Sequence, residues 1–369
     1  MLGDSSQLGR LFMKGLDLSR IFYEEAVKPI LETEFPDLQY SAAHIGKGSD
    51  VLGFDTSQSM DHGWGLRLEL FVSKADYEQY AEHIDSVLGQ CLPFEVQGFP
   101  VNLGMHDDGT SVMQYSKERP LNHGVSIASV KDFIESHLGI KSLLEIGIID
   151  WLVMPSQLLM GVVCGQVFYD GLGELEKVRS KLKYYPHDVW LYLLANQWRR
   201  IGQEIPFMGR CGQVNDEIGS RIVASRQIQD LMNLCFLMEK KYAPYIKWFG
   251  TAFSLLSCAE DLIPMFLKTL SGKNWEERQM HLVPAYEYVA EMHNRLGITE
   301  PMDDKVSFFH NRPFLIIQAD DYANAIYEQI QDDEVKSLPK WLGSVNQYSD
   351  STDVLAYTDK LRKLKALYT

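Results

Sequence analysis

The sequence predicts an α/β domain, a small mixed sheet with flanking helices, followed by a helical domain. Three observations carry that expectation. Two strand-like stretches, Tyr40 to Ile45 and Trp64 to Val72, flank a turn of small residues at Gly46, Gly48 and Ser49. After Asp150 the apolar spacing becomes helical almost without interruption. The chain has 369 residues, more than one typical core accommodates. The expected boundary gives domains at 1–154 and 155–369, with a cleft between them.

The elements follow in order. Leu8, Leu11, Phe12, Leu18, Phe22, Ala26 and Ile30 recur at helical spacing, and Pro29 stands near the end of that run. The strand, turn and strand come next. Ser73 is a natural N-cap for a helix over 74–88. A strand is expected near Phe94 to Val96, then a turn-rich stretch from Asn102 to Arg119, then a strand over Val125 to Val130. A short helix over 131–138 should stop at Gly139. In the second half, Trp190, Leu193, Leu194, Gln197, Trp198 and Ile201 line one face of a helix over 188–203. Ile218, Ile222, Ile228, Leu231, Cys235 and Met238 do the same over 215–241. Trp190, Trp198 and Trp248 read as core.

Composition narrows the function. Apolar residues make up 46% of the chain, enough for true cores. No apolar run reaches the length of a membrane span, and no signal-peptide pattern opens the sequence. Five scattered cysteines lack metal-ligand spacing and read as reduced thiols, which fits a cytoplasmic protein. The net charge of −15 argues against an extended nucleic-acid surface but leaves room for a local nucleotide site. The basic clusters Lys177 to Lys183 and Lys360 to Lys365 read as solvated helix faces.

The stretch HIGKGSDVLGFDTSQSMDHGWGLRLELFV, from His44 to Val72, has the order strand, Gly-Ser turn, loop and acid-bearing strand. That order resembles nucleotidyltransferases of the polymerase-β type. Six segments extend the resemblance over most of the chain: GKGSDVLGFDTSQSMDHGWGLRL, VFYDGLGELEKVRSKLKYYPHDVWLYLLANQWRR, GRCGQVNDEIGSR, YAPYIKWFGTAF, FHNRPFLII and GSVNQYSDSTDVL. On these the chain resembles the nucleotidyltransferase-like family catalogued as domain of unknown function 4037. The resemblance implies a nucleotidyltransferase-like sheet. It also implies transfer of a nucleoside monophosphate from a triphosphate, ATP foremost, to a hydroxyl of a small molecule, with Mg2+ as cofactor. Where the family pattern has Asp-His-Asp-Trp, this chain reads Asp61-His62-Gly63-Trp64. A third acid of such folds would fall near Ser126.

The chemistry explains why the departures matter. Glycines at 46 and 48 let backbone N–H groups approach phosphate oxygens, and Ser49 adds a hydroxyl. A pair of magnesium ions held by carboxylates usually neutralises the triphosphate and aligns the attacking hydroxyl. Acids at alternate strand positions share a face, so Asp61 with an acid at 63 would form the clamp, and Gly63→Asp would rebuild part of it. Glu69, eight residues beyond Asp61, would be about 26 Å away on an extended strand and too far to substitute. Asp61 is thus the candidate catalytic and metal residue, and Gly48 and Ser49 the candidate phosphate binders. Lys247 near a helix start and Arg210 in a loop are candidate phosphate contacts from the helical domain. Arg67 reads as structural, and His62, His106 and His123 lack ligand spacing. Asp107 and Asp108 read as exposed turn residues.

Three functions compete at this point: an active transferase, a degenerate member that binds nucleotide without efficient transfer, and an interaction scaffold. Magnesium-dependent binding of a nucleoside triphosphate would favour the first, and magnesium-independent binding the second. No binding would leave the third.

Overall fold

The computed structural model describes residues 12–61, 63–105, 107, 109–141 and 146–369, with the backbone alone for Asp61. The described residues form two compact units. The first holds the residues up to 141 and Leu158–Lys183, and the second holds Ile146–Gln157 and Tyr184–Thr369. The division is therefore not a single cut at 154/155. The chain leaves the first unit, returns to it, and leaves again.

The first unit begins with α1 (Gly15–Phe22), a π-helical turn (Tyr23–Val27) and α2 (Lys28–Glu34). Residues 8–11 of the expected helix lie outside the described residues. Pro29 has no N–H to offer the carbonyl of Glu25, and the wider turn lies directly before it. Leu18, Phe22, Val27 and Leu31 face inward against Ala42 of β1 (Tyr40–His44) and Leu68, Leu70 and Val72 of β2 (Arg67–Val72). Ile84 and Leu88 of α3 (Lys74–Cys91) join the same core. Each of the leucine, isoleucine, valine and phenylalanine side chains among these contributes roughly 1.5–3 kcal/mol by leaving water. Ser73 caps α3 as expected, its hydroxyl accepting from the Asp76 N–H.

Two small hairpins follow: β3 (Glu95–Val96) with β4 (Phe99–Pro100), and β5 (Leu103–Met105) with β6 (Ser111–Met113). Then come β7 (Gly124–Ala128) and α4 (Val130–Leu138), which ends where Gly139 turns to φ 77°. Helices α5 (Ile148–Val153) and α6 (Ser156–Val163) lead to β8 (Gln166–Asp170) and α7 (Leu175–Lys181). The main sheet has the order β7-β2-β1-β8. Strand β2 runs parallel to β7 and antiparallel to β1, which pairs antiparallel with β8. All five residues of β1 are buried, as a central strand requires.

On the sheet face away from α1, Phe71 meets Phe133 of α4 edge-on at 5.3 Å, and Phe133 stacks on His137 at 5.4 Å. His137 Nε2 lies 3.0 Å from the Leu158 carbonyl, tying α4 to α6. Burial lowers its pKa to about 4, so the ring is neutral and donates that bond at neutral pH.

The second unit is helical. Helix α8 (His187–Glu204) buries the expected face, with Trp190 and Trp198 in the core. Helix α9 (Phe207–Gln213) follows, so Arg210 sits on a helix and not in the expected loop. Helix α10 (Glu217–Met238) buries Ile228, Leu231, Cys235 and Met238 but leaves Ile218 and Ile222 exposed, against expectation. Asp230 of α10 is buried, and its Oδ1 is met from α8: Arg200 Nε donates at 2.7 Å and Gln197 Nε2 at 3.2 Å. Helix α11 (Ile246–Phe253) starts one residue before Lys247. All five cysteines are free, and no helix among the described residues is long and apolar enough to cross a membrane.

Candidate functional site

The glycine turn leaves the end of a central strand. Gly46 adopts φ 98° and donates its N–H to the Gly161 carbonyl at 2.8 Å, fixing the turn to α6. Gly48 adopts φ 141°, and a Cβ there would stand 2.1 Å from Asp50 Oδ1 and 2.6 Å from Arg67 Nη2. Glycine is thus required at 48 both for its backbone angle and for the close approach of that ion pair.

Behind the turn lies a charge network that the sequence reading missed. Asp50 is fully buried and takes four contacts: the Val51 N–H at 3.0 Å, His44 Nε2 at 2.9 Å, and Arg67 Nη2 at 3.0 and 3.1 Å from its two oxygens. Burial alone would raise its pKa, but His44 and Arg67 outweigh that and hold it at about 2. Burial works against a charged His44 in the same way, and the carboxylates of Asp50 and Glu69 overcome it and raise its pKa. His44 Nδ1 lies 3.4 Å from Glu69 Oε2, which also accepts the Ile45 N–H at 3.1 Å. In its protonated form, which these carboxylates favour, His44 donates from both ring nitrogens and bridges the two. Arg67 Nη2 also donates to the Lys47 carbonyl at 3.1 Å, clamping the turn from below.

What the network leaves open is as informative. The Lys47 side chain is exposed and its ammonium has no hydrogen bond among the described residues. The half-buried Ser49 hydroxyl likewise has none, although its carbonyl accepts the Phe54 N–H at 2.8 Å. A cation and a hydroxyl thus flank a glycine turn whose shape is fixed by buried charges. Such an arrangement suits phosphate oxygens.

The acids are distributed differently from the expectation. Asp61 ends a 3-10 turn, Ser57–Asp61, and its side chain lies outside the described residues. Strand β2 starts only at Arg67, so positions 61 and 63 are not alternate residues of a strand. Gly63 lies in a bend at φ 58° and donates its N–H to the Ser111 carbonyl at 3.0 Å. The strand starts late because Trp64 is drawn inward: its Nε1 donates to Asp55 Oδ2 at 2.9 Å. Asp55 also accepts the Gly15 N–H at 2.8 Å and pairs with Lys14 at 3.2 Å. Glu69, set aside for its distance along an extended strand, reaches the residue just before the glycine turn. Its neighbour across the parallel pair is the exposed Ser126.

The remaining candidates fall elsewhere. Lys247 is exposed on α11 with its ammonium 5.1 Å from the Trp248 ring, and Arg210 lies 5.7 Å over Phe207. Both belong to the second unit. His123 packs against Asp85, with Nε2 3.1 Å from its carbonyl. Asp107 is exposed. His62, His106 and Asp108 lie outside the described residues. The signal that could have found the network was the spacing of His44, Asp50, Arg67 and Glu69 around the turn, which topology brings together but no local period reveals.

The fold defines a mixed α/β unit with this glycine turn at the end of a central strand. Residues 151–249 match the family model described as domain of unknown function (DUF4037), the family the sequence resembles. Among solved structures, the chain is similar to a nucleotidyltransferase-like protein from Exiguobacterium sibiricum 255-15. That match has 10% identity and a TM-score of 0.33, over 80% of this chain and 82% of the other. No curated protein matches.

Proposed function

We propose that the first unit binds the phosphate chain of a nucleoside triphosphate on the Gly46–Ser49 turn. In this reading the protein is a nucleotidyltransferase-like binder that has lost efficient transfer. The observation that carries it is the turn itself. Two glycines at positive φ are braced by the buried Asp50 and His44 and the part-buried Arg67, while the Lys47 and Ser49 side chains make no hydrogen bond among the described residues.

The residues present do not fit a paired magnesium clamp. Position 63 has no side chain and Ser126 brings only a hydroxyl. Asp50 and Asp55 are committed to internal hydrogen bonds. Among the described residues no cluster of three or more His, Cys, Asp or Glu is placed to hold a metal ion. Among the described side chains around the turn, the second oxygen of Glu69 is what remains, fewer hard donors than a two-ion mechanism uses. No transfer step is therefore assigned. Lys47, with Ser49 and the turn amides, supplies the charge compensation instead.

Calorimetry with the four ribonucleoside triphosphates, with and without magnesium, tests this. Binding that survives chelation of magnesium is expected, with loss of affinity in Lys47→Ala. Absence of binding for all four would overturn the reading. Binding strictly dependent on magnesium, with turnover onto a hydroxyl acceptor, would restore the active transferase.

A further inference from the structure

The second unit contains a cavity of about 390 Å³ that the nucleotide reading does not use. Four separate stretches of chain build it: Ser156 and Gln157 at the start of α6, the middle of α10, the segment leading into α11, and residues 346–355. Two segments quoted above for the resemblance, YAPYIKWFGTAF and GSVNQYSDSTDVL, thus meet at one place. Its volume falls in the range of small-molecule pockets, roughly 300–1,000 Å³.

The lining chemistry is selective. Gln229, Asn233, Asn346, Ser349, Asp350 and Thr352 present amides, hydroxyls and one carboxylate. Tyr245, Ile246 and Phe249 supply an apolar side. Among the described residues, neither lysine nor arginine lines it. A smaller cavity of about 40 Å³ shares Ser156, Asn233, Ala243 and Asn346 and adds Lys241. That space suits one or two water molecules and not a phosphate.

Part of the polar lining is already committed. Asn346 Oδ1 accepts the Ser156 N–H at 2.8 Å, and Ser156 Oγ donates to the Ala243 carbonyl at 2.8 Å, so the wall is held in place. The half-buried amide of Asn233 and the Asn346 Nδ2 make no hydrogen bond among the described residues. Partly desolvated amides of this kind gain from a ligand that both donates and accepts.

We propose that this cavity binds an uncharged polyhydroxy compound of monosaccharide or cyclitol size. Hydroxyl groups match amides and a carboxylate in both directions, and the C–H face of such a ring lies against Tyr245 and Phe249. A phosphorylated ligand finds no cation here and meets Asp350 instead.

Saturation-transfer NMR and calorimetry on the full chain test this with glucose, galactose, ribose, myo-inositol and glucose 6-phosphate. At least one neutral probe should bind saturably. Asn233→Leu, which keeps the volume and removes the amide, should weaken it by about tenfold or more. Thr352→Val, on the exposed rim, should weaken it less and keeps the test valid if the first variant folds poorly. ATP binding should be unchanged in either, so this inference and the nucleotide reading fail separately. Three results would overturn it: no binding of any neutral probe, unchanged affinity in both variants, or glucose 6-phosphate binding as well as glucose.

Discussion

Gly63 stands at φ 58°, and no described residue lies within 4 Å of where a Cβ would point. The cost of an aspartate there is therefore one of backbone angle and not of space, at most about 1–2 kcal/mol, less for Asp and Asn than for other residues. The sequence suggested that Gly63→Asp would rebuild a metal clamp with Asp61. The structure removes the geometric ground for that, because no strand carries both positions. Gly63→Asp and Gly63→Asn should each lower the thermal midpoint slightly and leave magnesium dependence alike. A gain in magnesium-dependent nucleotide affinity for the aspartate variant only would contradict this. Asp50 is the residue with most at stake. Asp50→Asn leaves His44 and Arg67 without their buried counter-charge and should cost about 3–5 kcal/mol, read from denaturant unfolding.

The same pair sets a pH window. Asp50 is held at about 2 against an ordinary 3.8, so its contribution is present above pH 3.8 and is lost as pH falls from there through about 2. His44 is raised above 6.5, so its contribution is full below 6.5 and is lost as pH rises through its elevated folded value. The turn should be held most firmly between about pH 4 and 6.5. NMR titration of His44 should give a midpoint above 6.5 that drops in Asp50→Asn. A midpoint below 6.5 in the unmodified protein would contradict the network.

At the scale of elements, the parts with a clean local signal were legible. Ser73 before α3, Gly139 after α4 and the apolar face of α8 each follow from one local rule. The parts that were not legible depend on distant partners. Trp64 reads as strand but turns inward to Asp55, nine positions earlier. Ile218 and Ile222 keep helical spacing yet stand exposed, because spacing fixes a face and not what covers it. Strand β8 lies beyond the expected boundary yet pairs with β1 over Ser41 to His44. A fragment ending at residue 154 would leave that edge unpaired, and should aggregate. A fragment ending at 183 keeps the pairing and should stay soluble. Equal solubility of the two in sedimentation would contradict the assignment of β8 to this sheet.

For the whole molecule, the α/β-then-α reading matches the observed mixed sheet and helical second unit. The candidate site was legible only in part. The turn at Gly48 and Ser49 could be read from small residues after a strand, whereas His44, Asp50 and Glu69 come together only through the sheet. A chain of net charge −15 that binds a polyanion must do so on a small, locally positive surface, and the turn around Lys47 is that surface in this account. Hydrogen exchange of the full chain with ATP, in the presence of a magnesium chelator, tests this most directly. Slowed exchange is expected in the peptide spanning Gly46 to Gly53, with no comparable change from Tyr245 to Phe249. ATP binding that leaves Gly46 to Gly53 unprotected would contradict it.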